Sequence, residues 1–466
     1  MKHPVRRVAI LGGFVLVFLA LYGVMTVVAA PLSAPIGKVM TFMVVWGACF
    51  CLYFGASLWV MMTRPLQGRW LWVELGLILG GAMLFRLMLV NLPPELSPDA
   101  WRYLWDARVM LHGYSPYLYA PANKVLVPLW NSVFYNARYR QSPTEYPPGA
   151  EIFFLLGSLL NPTSLVGLKT LFVLLDLVTC GALAVLLVRK GLDARRVVIY
   201  AWCPLPIVEF AMVGHSDVIA ISFMVLAVLC ALSSRQSVRI LAGICIGLAT
   251  LARLYPILLL VALVRRRDWG LVAACGVTIV LGYLPFILLS QGAIHAVAFS
   301  FSDQRDLHPG VLDMVPFYVL RGVGIRAGLT TVLSVTHVLE TVVVGMTVLL
   351  VCIQRWWKRM SVEVAALILI AVVLMVYAHV FPWYVTALLP WIALLIEPVW
   401  TREKGLGARG LAVAMVWYFT CAVVLSYFPG MPHYYTASNW MIYYGVSFGV
   451  MVVGLAGAAV IGLQKY

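Results

Sequence analysis

Apolar runs long enough to cross a bilayer, parted by short polar links, recur along the whole chain. A helix needs about 20 apolar residues to cross ~30 Å of hydrocarbon. Such runs fall near residues 8–30, 39–62, 70–92, 165–188, 196–213, 217–234, 269–289, 327–353, 362–380, 384–399, 409–428 and 441–463, with a further apolar stretch at 240–264. The pattern predicts an all-α, polytopic transmembrane bundle of about 12 spans plus one broken or re-entrant helix pair.

Short basic clusters punctuate the runs at Lys2–Arg7, Arg64–Arg69, Arg189–Arg196, Arg235–Arg239, Arg265–Arg267, Arg355–Arg359 and Arg402–Arg409. Cytoplasmic loops carry the excess of Lys and Arg, so these clusters orient the chain. If 240–264 crossed once, the last three clusters would lie outside; if it enters and turns back, every cluster is cytoplasmic. Arg253-Leu254-Tyr255-Pro256 sits in the middle of that stretch. Pro256 lacks a backbone N–H and steers Tyr255 away from helix. A broken pair at 240–264 is therefore expected, with Arg253 near its apex. Backbone freed at membrane depth survives only where protein or a wet cavity covers it, which makes the break a candidate site.

On this threading both termini are cytoplasmic, and the long segment 93–164 lies outside together with 290–326 and the links near 214–217, 380–384 and 429–440. Ile152–Leu160 is too short to span and reads as an interfacial helix. The chain is expected to be a single membrane domain, 1–466, with an extra N-terminal helix pair over 1–69, a large outer loop over 93–164 and no soluble domain at either end.

Composition strengthens the class and changes how the charge is read. Hydrophobic residues make up 63% and charged residues 11% of the chain, too much apolar surface for a soluble core to hide. The net charge of +15 would suggest nucleic acid in a soluble protein. Here it sits in loops and is topological, so no nucleic-acid partner is expected. All nine cysteines fall inside apolar segments without metal-ligand spacing, so neither disulfides nor zinc are indicated, and no metal or cofactor is expected. The basic start, followed by about 23 apolar residues without a small-residue cleavage site, reads as an uncleaved first helix.

Candidate chemistry gathers in the outer segments. Ser97-Pro98-Asp99 reads as a helix start. Asp99 there either favours the helix dipole or is a partly desolvated carboxylate able to take a proton from a hydroxyl. Asp106, seven residues on, shares its face and can pair with Arg102 at i, i+4. Gly113-Tyr114-Ser115-Pro116-Tyr117 and Glu145-Tyr146-Pro147-Pro148-Gly149-Ala150 read as ordered turns with aromatic anchors. Gly214-His215-Ser216-Asp217 links two spans, with Glu209 shortly before. Its His and Asp either cap the next helix or bind sugar hydroxyls or phosphate. Intramembrane acids tend to line sites, so Glu209 and Asp176 count as well. Arg253 either pairs with Asp176 or Glu209, or clamps an anionic headgroup with Tyr255 beside it. His379 and Pro382-Trp383-Tyr384 read as an interfacial belt. His295, Asp303, Arg305, Asp306 and His308 show no cage spacing and read as a solvated loop. No phosphate loop, dinucleotide fingerprint or nucleophile elbow occurs. A donor arriving through the membrane fits better than a soluble nucleotide.

The order of these motifs, together with Trp202-Cys203-Pro204-Leu205, resembles that of bacterial GT-C fold glycosyltransferases. The group in question is the polyprenol-phosphate-mannose-dependent, mannosyltransferase-like set (glycosyltransferase family 87 and relatives). The resemblance covers about residues 95–260 well and the rest in general layout. It implies inverting transfer, usually without metal, of a sugar such as mannose from a polyprenyl-phosphate donor to a glycan or glycolipid acceptor, at the periplasmic or extracellular face of the inner (plasma) membrane. Asp99 matches the family's general base, and Arg253 its donor-phosphate cation, though Lys is common there. The family's Trp-Asp-Gly becomes Trp105-Asp106-Ala107, and two extra helices precede the matching core. The expected roles are therefore Asp99 as base, Arg253 and Tyr255 on the donor phosphate, and Arg102, Asp106, His215, Asp217, Glu209 and Tyr146 around sugar or acceptor. Two other readings stay open: a lipid-linked-sugar flippase or transporter without chemistry, and an O-antigen ligase or polymerase using oligosaccharide diphospholipids.

Overall fold

The structure is a computed structural model; it describes residues 4–290, 310–325, 328–376, 380–403, 405–428 and 436–463. His295, Asp303, Arg305, Asp306, His308 and His379 lie outside the described residues. The fold is an all-helical, polytopic membrane bundle. Its strands, among the described residues, are the short antiparallel pair β1 (Trp400–Thr401) and β2 (Gly405–Leu406). Among the described residues, eight helices are long and apolar enough to cross a membrane, or nine if the bent pair Ala194–Ala201 and Pro204–Val213 counts as one span. The remaining apolar runs form helices of 10–17 residues, among them Asp217–Ala231, Gln236–Ala252 and Val362–Val376.

The chain packs into two compact units, one of residues 1–257 and 264–299, the other of 258–263 and 300–466. The first opens with α1 (Pro4–Val28), α2 (Ile36–Met62) and α3 (Arg69–Leu89). α1 buries Leu11, Val15, Phe18, Tyr22 and Met25, a stripe spaced by threes and fours that repeats one helical face. Phe18 meets Phe85 of α3 at 5.1 Å between ring centroids and Trp202 at 5.5 Å. Lipid tails are as apolar as these side chains, so close packing rather than transfer from water holds such helices together.

Polar ties fix how the helices run. Next come α4 (Asp99–Leu111), α5 (Ser132–Asn136), α6 (Pro148–Leu160) and α7 (Leu165–Arg189). At one end of the bundle Glu74 of α3 accepts from Arg7 (3.0 Å) and Arg195 (3.3 Å). Arg7 also donates to the Arg64 carbonyl and Arg195 to Asp193 at 2.7 Å. Three basic clusters therefore meet at one end. Further along, Arg86 of α3 pairs with Asp176 of α7 at 2.6 Å, and at the other end Lys169 of α7 donates to the Leu92 carbonyl at 2.5 Å. α3 and α7 are thus antiparallel.

The next stretch is broken by its own sequence. α8 (Val198–Ala201) stops before Cys203-Pro204, and α9 (Pro204–Pro206) continues as a π-helical turn over Ile207–Val213. The pair bends by 48°, because Pro204 lacks the N–H that would carry the ladder on and fits the first position of a new helix. Trp202 anchors the bend by donating to the Ile78 carbonyl at 2.8 Å. α10 (Asp217–Ala231) runs parallel to α7, with Ser222 against Thr179 at 2.7 Å.

α11 (Gln236–Ala252) ends at Arg253, whose extended backbone (φ −147°, ψ 143°) stops the helix. A single 3₁₀ turn, Tyr255–Leu258, and α12 (Leu259–Leu263) follow. The chain then returns to where α11 began: Arg265 donates to the Ala231 carbonyl at 2.9 Å, and Asp268 pairs with Arg239. α13 (Trp269–Ser290) sets Leu271 beside Gly243 and Gly282 beside Leu251, so it runs parallel to α11.

The second unit contains α14 (Val311–Gly322), α15 (Leu329–Trp356), α16 (Val362–Val376), α17 (Pro382–Val385), α18 (Leu389–Leu395), α19 (Ala408–Ala422), α20 (Ala437–Tyr444) and α21 (Val450–Leu463). One of its cores joins Ala262 of α12 to Val351 of α15 and to Ala365 and Leu369 of α16.

Candidate functional site

The polar residues of the first unit converge at the end of α3, α7 and α10 opposite the Glu74 cluster. Asp99 is the first residue of α4, and its N–H donates to the Ser97 hydroxyl at 3.3 Å. Its side chain is 23% exposed, enough for a substrate hydroxyl to reach it. Burial raises its pKa, as does the charge of Glu145, while the Ser97 hydroxyl and the charges of Arg138 and Arg253 pull it back.

His215 stands between two acids. Its Nδ1 lies 4.0 Å from Asp99 Oδ2 and its Nε2 3.5 Å from Glu209 Oε2. Burial, helped by the charge of Arg253, holds its pKa well below the ordinary value, so the ring is neutral at physiological pH and carries one N–H and one acceptor nitrogen. Local backbone explains the approach. The π-helical turn ends at Gly214, whose φ of +86° puts it in the left-handed region. The N–H groups of Gly214 and His215 both donate to the Glu209 carbonyl, at 3.0 and 2.9 Å. A Cβ at Gly214 would lie 3.0 Å from Lys169 Cγ and 3.4 Å from Ala100 Cβ. Glycine thus lets the link cross directly over α4 and α7.

Arg253 joins the same cluster from α11. It donates to Asp217 at 2.7 Å and to the Ser216 hydroxyl at 3.5 Å, and lies 5.5 Å from the centroid of the Tyr146 ring. Of the acids the sequence offered it, Asp176 is held by Arg86 and accepts from Tyr200 at 2.5 Å; the partner found is Asp217. Tyr255 opens the 3₁₀ turn two residues on.

The two aromatic motifs build the wall beneath Arg253. Pro147 and Pro148 start α6, and a Cβ at Gly149 would sit 2.6 Å from Leu251 Cβ and 2.8 Å from its carbonyl oxygen. Glycine therefore lets α6 touch the last turn of α11, which brings Tyr146 under Arg253. Tyr117 donates to the Tyr146 carbonyl at 2.6 Å, and Thr144 N–H to the Pro116 carbonyl at 2.9 Å. Tyr146 meets Tyr103 edge-on at 5.0 Å.

Arg102 and Asp106 form a second, buried network. Arg102 Nε donates to both Asp106 oxygens at 2.9 Å, and its terminal nitrogens donate to the Tyr139 and Ser142 carbonyls. The guanidinium is spent on its own helix and on the loop, so the pair shapes the wall of the site. Beside it, Thr144 donates to Glu151 at 2.5 Å. Burial pushes Glu151 well above the carboxylate range, and the nearby Asp106 adds to the shift.

Of the residues singled out in the sequence, Asp99, His215, Glu209, Asp217, Arg253 and Tyr146 come together here. Lys169, Ser216, Tyr103 and Glu151 join them unannounced. Lys169 and Glu151 carried the same signal as Arg253, a lone charge in an apolar run. Tyr103 and Ser216 carried none beyond their neighbours.

The profile of Glycosyltransferase family 87 matches residues 144–379 of this chain. Among solved structures, the apo form of the Archaeoglobus fulgidus oligosaccharyltransferase is similar at 16% identity and a TM-score of 0.36, over 82% of this chain and 55% of that one. This chain thus corresponds to little more than half the length of that protein. No curated protein matches the sequence.

Proposed function

The chain belongs to glycosyltransferase family 87, and on that premise we propose that this membrane glycosyltransferase moves a hexose, mannose in the first instance, from a polyprenyl-phosphate donor to an acceptor hydroxyl with inversion. The acceptor is a glycan or glycolipid, and the reaction occurs at the extracytoplasmic face of the plasma membrane. One observation carries the reading: a partly exposed carboxylate, Asp99, lies 4.0 Å from His215 in a cluster that also holds the Arg253 guanidinium, whose charge acts on Asp99.

In the proposed step, Asp99 takes the proton of the acceptor hydroxyl as its oxygen attacks the anomeric carbon. The bond from that carbon to the phosphate oxygen breaks, and polyprenyl phosphate leaves. Arg253 balances the charge gathering on it, with Tyr255 beside it. Asp217 holds Arg253 in place, and neutral His215 orients Asp99 or a sugar hydroxyl while Glu209 fixes its ring. Tyr146 offers the sugar an aromatic face. Arg102 and Asp106 act through the wall they brace.

Purified protein incubated with a radiolabelled polyprenyl-phosphate hexose and a membrane glycolipid extract tests this. The wild type converts label from donor to product. Asp99→Asn elutes and melts like the wild type but loses about 10²- to 10⁴-fold in rate; full activity in that variant rejects the assignment. A flippase would return the donor unchanged, and an oligosaccharide ligase would ignore the monophosphate.

A further inference from the structure

We infer that the second unit holds a divalent transition-metal ion between α14 and α15, bound by Asp313, His337 and Glu340. One ligand atom from each of these side chains lies within 4.8 Å of the other two. They are an imidazole nitrogen and two carboxylate oxygens, the mixed set that suits zinc or manganese better than magnesium or calcium. In the sequence Asp313 stands 24 residues before His337, a separation that hides the grouping. The helix pair creates it.

Charge and burial argue for a cation at this point. α15 is largely bare to its surroundings: Val335 is 57% exposed, Val338 64%, Leu339 58% and Val342 50%. On the opposite face, spaced by threes and fours, lie Leu333, Thr336, His337 and Glu340, with Glu340 only 2% exposed. Asp313, 1% exposed, accepts from the Gly310 N–H at 3.0 Å and from the Thr336 hydroxyl. Neither partner is a cation, and among the described residues no Lys or Arg reaches Asp313. His337 Nε2 is shut off from solvent and has no hydrogen-bond partner among the described residues, which leaves its lone pair free for a ligand. Asp313, buried in an apolar helix pair with no cation among the described residues beside it, loses its hydration. A dication held by the three side chains offsets that cost and takes up the imidazole nitrogen. Thr336, donating to Asp313, orients it as outer partners of metal ligands do. The ion would staple α14 to α15.

Full-length protein in detergent, stripped with EDTA, loaded with Zn²⁺ or Mn²⁺ and desalted, is assayed for metal by mass spectrometry and for thermal unfolding. The wild type is expected to retain about one equivalent of one of these ions and to melt several degrees higher when loaded. His337→Gln and Glu340→Gln should each lose at least ten-fold in retained metal and melt at one temperature with or without it. Metal-free variants that elute and melt like the metal-free wild type show that folding is intact. If one fails to fold, the other decides. A wild type that retains neither ion, or variants that retain as much as the wild type, would overturn the site. Unchanged retention would mark binding elsewhere, and no retention a proton shared by the two carboxylates.

Discussion

Asp99 and Glu151 are both carboxyls raised by burial, yet their surroundings give them different work. Asp99 keeps a face open to solvent, so its ionised form can take a proton from a substrate hydroxyl. A base raised above the ordinary carboxylate value of ~3.9 loses its active, ionised form as pH falls through that raised value. The acid limb of kcat/KM should therefore lie above the usual carboxylate range. Glu145 contributes to the rise, so Glu145→Gln should move that limb to lower pH. A limb that stays put under that change would argue that Asp99 is not the titrating base. Glu151 is sealed beside Asp106. Its folded pKa exceeds its unfolded one, so stability is greatest below the unfolded value of ~4.3 and falls as pH rises toward the folded value, by about 1.4 kcal/mol per unit crossed. Glu151→Gln, neutral throughout, should melt like the wild type at low pH and increasingly above it as pH rises past about 5. Parallel melting curves across that range would show Glu151 to be ionised in the fold.

Helices and turns set the distances between these groups, and two glycines control the approach. Gly214→Ala forces a left-handed φ of +86° on a residue with a Cβ, costing about 1–2 kcal/mol, and presses that Cβ on Lys169. Gly149→Ala drives α6 off α11, an overpacking cost of about 1–3 kcal/mol, and pulls Tyr146 from Arg253. Both variants should melt lower. Gly149→Ala should raise the KM for donor more than that for acceptor, because Arg253 loses its wall while Asp99 keeps its place. Equal effects on both KM values would detach Tyr146 from donor binding. The sequence announced several of these elements openly. Ser97-Pro98-Asp99 marks the start of α4, whereas the bend at Pro204 falls inside a run, 196–213, expected as one span. Arg253 ends α11 three residues before Pro256. The glycines gave no such notice, because close approach depends on which helix arrives opposite.

For the molecule as a whole, charge and burial divide the two ends of the first unit. The clusters around Arg7, Arg64 and Arg195 meet at Glu74, while the acids and Arg253 of the candidate site lie at the far end of the same helices. Positive residues stay on the cytoplasmic side, so the site should face outward. A cysteine at exposed Tyr135 should react with a membrane-impermeant maleimide in intact cells, and one at exposed Gln67 only in inside-out vesicles, both read above the wild-type background. The reverse pattern would place the site in the cytoplasm. Apolar periodicity and charged loops were enough to establish a polytopic helical bundle, because covering the backbone in lipid leaves a chain this apolar few other choices. Motif order brought Asp99 and Arg253 forward as candidates, and the structure sets both in one cluster. Only the packed structure decided that Arg253 pairs with Asp217, that Asp176 belongs to Arg86, and that Asp313 meets His337 and Glu340. Those contacts depend on helix rotation and register between segments far apart in the chain, and local pattern does not encode them.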